Sequence, residues 1–108
     1  DWIKLSGGTK HVLGIRGTAG GPGALYSWGI NTQGQLGLGN TTNTNSPNQV
    51  GALTTWLEVA GGYYGTFAFK NDGTMWTWGK NTNGCNGRNE PLNTQHNSPV
   101  QVGSLTTW

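Results

Sequence analysis

Tyr26-Ser27-Trp28-Gly29-Ile30-Asn31-Thr32-Gln33-Gly34 is written again as Trp76-Thr77-Trp78-Gly79-Lys80-Asn81-Thr82-Asn83-Gly84. Upstream of it, Trp2-Ile3-Lys4-Leu5-Ser6-Gly7-Gly8 returns as Trp56-Leu57-Glu58-Val59-Ala60-Gly61-Gly62. Downstream, Ser46-Pro47 and Val50-Gly51-Ala52-Leu53-Thr54-Thr55-Trp56 return as Ser98-Pro99 and Val102-Gly103-Ser104-Leu105-Thr106-Thr107-Trp108. Trp2, Trp56 and Trp108 are separated by 54 and 52 residues. A period of roughly 50 residues is the signature of a stacked repeat array, in which one unit cannot bury its apolar faces alone. The chain divides into repeats at residues 1–55 and 56–108. The sequence therefore reads as two units of a longer array, with further units of the same parent chain or assembly as the first expected partners.

The local patterning is all-β. Clusters of Asn, Gly and Pro interrupt every short apolar run, and no segment sustains helical periodicity. In the second repeat, strands are expected at Leu57 to Ala60, Gly65 to Lys70, Thr74 to Trp78 and Pro99 to Val102. Asn71-Asp72-Gly73 makes the hairpin turn, because Asp-Gly accepts positive φ. Four short antiparallel strands per unit is the count of a β-propeller blade. Leu13 and Ile15 take the places of Phe67 and Phe69, and Tyr26 and Trp28 those of Trp76 and Trp78. Thr66, Ala68 and Thr77 are assigned to a small-residue face meeting large residues of a neighbouring blade. The Gly7-Gly8 and Gly61-Gly62 pairs mark backbones in close approach.

Composition narrows the function classes. Charged residues make up 9% of the 108 residues and the net charge is +2, with the Lys and Arg spread along the chain. That is no nucleic-acid footprint, and no run approaches the roughly 20 apolar residues of a membrane-spanning helix. The Asn-, Thr- and Gly-rich, weakly charged surface leans toward an extracellular or virion setting. Cys85 is the single cysteine, so no intrachain disulfide forms. The sequon Asn40-Thr41-Thr42 matters only in a eukaryotic secretory setting.

No catalytic constellation emerges. Asp1, Glu58, Asp72 and Glu90 are the carboxylates, and no two stand at a spacing that supports general acid–base work. His11 opens a strand, where packing or hydrogen bonding accounts for it, and His96 lies in a polar loop. Cys85 and these two histidines are too scattered for a metal site. The runs Gly17 to Gly23 and Gly34 to Gly39 lack the Gly-Lys-Ser/Thr ending of a phosphate loop. No catalytic, cofactor-binding or metal-ligating residue is assigned. Recurrence of the Trp residues at fixed repeat positions makes them frame rather than a carbohydrate platform. Tyr63 and Tyr64 break the pattern, since the first repeat has Thr9 and Lys10 there; they are the better ligand candidates, with surface packing the default. The segments Gly17 to Ala24, Asn40 to Asn45 and Asn89 to Asn97 differ between repeats and are where partner specificity would reside.

The order Trp-x-x-Val-x-Ala-Gly-Gly, apolar alternation, then Asp-Gly-Thr-x-Trp-x-Trp-Gly-x-Asn-x-x-Gly resembles the regulator of chromosome condensation repeat. Gly34-Gln35-Leu36-Gly37-Leu38-Gly39-Asn40 looks like the family's most recognisable segment. The resemblance covers essentially the whole chain and implies a seven-bladed β-propeller. His11 matches the family's His after the glycine pair, whereas Gly65 stands there in the second repeat. The Gly-Gln-Leu-Gly run degrades to Gly84-Cys85-Asn86-Gly87-Arg88-Asn89. The functional expectation is a noncatalytic scaffold that binds a macromolecular partner through its variable loops. One alternative is a structural component of a virion or extracellular assembly. Another, by family analogy, is a guanine nucleotide exchange factor, although no wedge-like insertion is visible.

Overall fold

The computed structural model describes residues 2–80 and 94–103. Eight strands follow one another in the chain: β1 Trp2–Gly7, β2 His11–Gly17, β3 Gly23–Gly29, β4 Thr44–Gln49, β5 Trp56–Gly61, β6 Gly65–Lys70, β7 Met75–Lys80 and β8 Gln95–Gln101. Strands β1 to β4 pair antiparallel in sequence order, and so do β5 to β8. A single residue pair, Gly23 with Trp56, links β3 to β5. The result is two blades of four antiparallel strands, as the repeat pattern predicts.

The hairpin of the second blade shows how the sequence sets the register. Gly73 takes positive φ, at 85°, and its N–H donates to the Lys70 carbonyl. The turn closes with Lys70 N–H on the Thr74 carbonyl, which pairs Phe69 with Met75. Ala68 then faces Trp76, and Thr66 faces Trp78. Directly opposite residues share a sheet face. This corrects the expected segregation: Thr66 and Ala68 lie beneath the Trp pair, whereas Thr77 shares the other face with Phe67, Phe69 and Met75. Large and small residues complement each other within a blade as well as between blades.

The same register holds in the first blade, where Leu13 pairs with Ser27 and Ile15 with Leu25. That face packs against the Trp face of the second blade. Leu13, Ile15, Leu25, Val50, Trp56, Val59, Ala68 and Trp78 form one buried cluster. The glycine pairs sit at this seam. A Cβ on Gly61 would lie 2.6 Å from the Gly8 nitrogen, and one on Gly8 would lie 2.6 Å from the Gly62 carbonyl oxygen.

Equivalent positions differ in environment because only one seam is formed. Trp56 is 3% exposed, whereas its counterpart Trp2 is 39% exposed. Val59 is 9% exposed and its counterpart Leu5 is 65% exposed. At the other end, Phe67, Phe69 and Met75 are only partly buried, although Leu13, Ile15 and Leu25 are fully so.

The fourth strand of the second blade begins earlier than its apolar residues indicate. Pairing of Lys80 with Gln95 starts β8 at Gln95, so His96 and Asn97 belong to a strand rather than to a loop. The sequence hid this because Gln95-His96-Asn97 is polar throughout and carries no apolar alternation. Thr44 and Asn45 likewise open β4.

The packing difference gives a direct test. Trp56→Ala opens the seam and is expected to cost about 3–5 kcal/mol in equilibrium denaturation, while Trp2→Ala, half outside the core, costs well under half of that.

Candidate functional site

The blade seam carries a buried polar cluster, built largely by one loop. Between β3 and β4 the chain folds around Asn31, which is fully buried. Asn31 Oδ1 accepts from the Leu36 N–H at 3.0 Å. Its Nδ2 donates to the Asn40 carbonyl at 2.9 Å and to Asn40 Oδ1 at 3.0 Å, and its own N–H donates to Asn43 Oδ1 at 2.7 Å. Ser27 Oγ adds a bond to the Leu36 carbonyl at 2.7 Å. One buried amide thus supplies the partners that this loop backbone lacks for want of a sheet neighbour.

The loop then reaches across to the second blade. The Gln35 carbonyl accepts from Thr66 Oγ1 at 2.8 Å and from Trp78 Nε1 at 3.0 Å. Gly37, at φ 73°, lies so close to the Trp78 ring that a Cβ would sit 2.6 Å from Nε1. The Gly39 N–H donates to the Asn97 carbonyl in β8 at 2.7 Å.

His11 joins the same cluster. It is buried, and its Nε2 lies 3.1 Å from Thr66 Oγ1. The single hydroxyl proton of Thr66 is directed to Gln35, so Nε2 carries the proton and donates to Thr66. Burial lowers the His11 pKa, and a contact with the Gly65 backbone offsets part of that effect. The imidazole therefore stays neutral, as a structural donor. No acid, nucleophile or second base accompanies it among the groups that shift its pKa.

Outside the cluster, Lys4 and Glu58 pair across the seam at 2.9 Å with both side chains about half exposed, an arrangement worth about 0–1 kcal/mol. Asp72 does more than shape its turn. It accepts from the Thr74 N–H at 3.0 Å and from Thr74 Oγ1 at 2.6 Å, and Thr74 Oγ1 accepts from Trp76 Nε1 at 2.7 Å. The Thr74 hydroxyl, followed by its backbone N–H, holds the Asp72 carboxyl below the usual range. Lys70 lies over Trp76 and Trp56 at 4.0 and 5.0 Å, and Arg16 repeats the arrangement over Trp2 and Tyr26 at 5.4 and 5.7 Å.

Among the described residues no three His, Cys, Asp or Glu side chains stand together as a metal site would require. A cleft of 160 Å³ at the rim of the seam, lined by Val50, Leu53, Trp56, Lys70 and Pro99, is smaller than the roughly 300–1,000 Å³ of small-molecule sites. A second depression of 310 Å³, on the uncovered face of the second blade, is lined by Leu57, Phe69 and Lys70.

The variable segments divide in two. Asn40 and Asn43 are tied to Asn31, so much of the Asn40 to Asn45 segment is frame. In the segment Gly17 to Ala24, Gly17 pairs with Gly23 and Arg16 with Ala24, leaving residues 18–22 as the projecting tip. Cys85, Asp1, Glu90 and the first part of the Asn89 to Asn97 segment lie outside the described residues. Tyr63 is 59% exposed and stacks on Tyr64, with ring centroids 4.2 Å apart. Asn31 and Gln35 stand in the sequence as repeat and family-motif positions, with no role attached to either. The recurrence of Asn31 as Asn81, two residues after a Trp-Gly pair present in both copies, is the available signal for the former; the bonds of Gln35 across the seam are made by its main-chain carbonyl, which the family motif does not by itself reveal.

Protonation of His11 must be unfavourable, because its folded pKa lies below the unfolded value of about 6.5. Stability from this group is full above that value and is lost as pH falls below it, toward the folded pKa. Thermal melts between pH 8 and 5 are expected to show this loss, and His11→Gln should flatten the slope. Thr66→Val, which leaves His11 and the Gln35 carbonyl short of a partner, is expected to cost about 1–3 kcal/mol by denaturation.

The geometry of two like blades, their loop-made seam and their repeat spacing agree with comparisons to known proteins. The Regulator of chromosome condensation (RCC1) repeat matches residues 22–69 and 72–107, and a second form of that repeat matches residues 57–85. The human protein named "Probable E3 ubiquitin-protein ligase HERC6" is 34% identical over 109 residues, covering 95% of this chain and 10% of its own length. The crystal structure of human WBSCR16 superposes with a TM-score of 0.78 at 26% identity, covering 94% of this chain and 25% of that one. Prp20p of Saccharomyces cerevisiae, whose structure is described with its binding to Gsp1p and histones, superposes with a TM-score of 0.70 at 15% identity, covering 94% and 26%. The chain thus spans about a tenth of the curated relative and a quarter of these solved chains. It belongs to the RCC1 repeat family.

Proposed function

We propose that these blades are part of a larger, noncatalytic β-propeller scaffold that binds a protein partner through the loops that differ between repeats. The observation that carries this reading is the difference in cover at equivalent positions. Trp2 and Leu5 on one outer face, and Phe67, Phe69 and Met75 on the other, are repeats of residues packed inside the seam. Further blades of the same parent chain or assembly are the occupants that match them, and seven blades is the number that the family resemblance implies. Once both faces are covered, the hairpin tips and connecting loops remain as surface for a partner.

Family comparison supports protein partners in general. Prp20p is described with binding to Gsp1p and histones, and a further structure holds yeast RCC1 (Prp20) bound to Kap60. At 15% and 18% identity these structures share the fold and identify no specific partner for this chain. Guanine nucleotide exchange is therefore retained only as the alternative to be tested. The comparisons do not favour a virion or extracellular assembly, and that placement rests on composition.

Replacing residues 18–22 by the short Asn71-Asp72-Gly73 hairpin of the second repeat tests the scaffold reading. A protein partner identified with the intact protein is expected to be lost, with the melting temperature changed by no more than a few degrees. Substrate turnover traced to these repeats would overturn the noncatalytic assignment, and accelerated nucleotide release from a small GTPase would establish the exchange alternative.

A further inference from the structure

The blades have two dissimilar ends. One carries the β2–β3 and β6–β7 hairpins with Arg16, Lys70 and Asp72. The other carries the β1–β2 and β5–β6 turns and the β3–β4 loop. At this second end the Thr9 N–H donates to the Gly62 carbonyl at 3.2 Å, so the two turns abut across the seam. Lys10, the residue after Thr9, is thereby placed beside the second blade's Gly62-Tyr63-Tyr64 turn. The Tyr64 carbonyl accepts from the Lys80 N–H at 3.0 Å, which anchors the turn.

The frame does not require these aromatics. Repeat one builds the same turn with Thr9 and Lys10. Yet Tyr63 is left 59% exposed, tilted at 50° on Tyr64. A pair of adjacent Tyr rings with two rotatable angles each gives large contact area at low entropic cost, and Tyr is enriched among binding hot spots.

Charge sets the kind of partner. Among the described residues, Lys10 and Lys80 are the charged residues of this end. The two described carboxylates are elsewhere: Glu58 within β5, paired with Lys4, and Asp72 at the opposite hairpin. We infer that Tyr63, Tyr64 and Lys10 form a docking site for an acidic peptide segment of a protein partner, with the rings receiving an apolar side chain and Lys10 a carboxylate. A neutral glycan fits less well. The rings are tilted rather than coplanar, and no described carboxylate is at hand to accept sugar hydroxyls.

This inference rests on the scaffold reading and names one of its surfaces. The test uses the intact protein and a fluorescein-labelled peptide of glutamates flanking one phenylalanine, followed by fluorescence anisotropy. Binding is expected, weakening as salt rises. Tyr63→Thr, which imports the residue repeat one uses, and Lys10→Glu should each lower affinity about tenfold or more, with an unchanged melting profile for Tyr63→Thr. An asparagine version of the peptide should not bind. Absent binding, binding that both variants leave unchanged, or preference for a neutral oligosaccharide would overturn the inference. The scaffold reading fails separately: a protein partner that is lost on replacing residues 18–22 but kept by Tyr63→Thr leaves the scaffold standing and removes this site.

Discussion

The carbonyl oxygen of Gln35 leaves its own blade to accept hydrogen bonds from Thr66 and Trp78 of the next. A buried carbonyl away from water must be satisfied, and this one is satisfied only if both blades are present in the observed register. His11 adds its bond to the same Thr66 hydroxyl, and Asn31 holds the loop in the shape that presents Gln35. The seam is thus fixed by a few directional bonds set within an apolar cluster. Burial of Leu13, Ile15, Leu25, Trp56 and Trp78 supplies the non-directional driving force, and the polar cluster selects one alignment among those that burial alone would allow.

The seam joins unlike surfaces. An aliphatic face of one blade receives the Trp face of the next, so each blade offers one surface of each kind. Such a heterologous contact propagates until it closes or is capped. Hence Trp2 and Trp56, identical in sequence role, differ in exposure: the first has no described blade against it and the second has one. The same logic accounts for the partial exposure of Phe67 and Phe69 and separates frame from function. Residues that recur and become buried when a neighbour is present belong to the frame. Residues such as Tyr63, which break the recurrence and stay exposed at a blade end, are available for partners.

Much of this was legible in the sequence. The doubled Trp-x-Trp-Gly segment and the Trp spacing identified blades, and the alternation of Phe67 and Phe69 located β6. What the sequence withheld followed from two physical causes. Strand ends made of polar residues, such as Gln95 to Asn97, carry no apolar signature. Register across a hairpin depends on a single turn geometry: Thr77 lies opposite the Trp pair as alternation predicts, but only the pairing of Phe69 with Met75 shows that Thr66 and Ala68 share the Trp face rather than that of Thr77. The seam bonds of Gln35 are made by its main-chain carbonyl, so the motif that contains it does not by itself reveal them. Among candidate residues, His11 was correctly read as a hydrogen-bonding group, whereas His96 was misplaced into a loop.

Hydrogen exchange at the Trp78 indole N–H tests the central claim most directly, because that proton is committed to the Gln35 carbonyl of the other blade. If the two blades are locked through this bond, the indole proton should exchange as slowly as the core amides of β6, opening only with global unfolding. Exchange on the timescale of exposed hairpin-tip amides such as Gly20 would contradict the account, since it would mean that the seam opens while each blade remains folded.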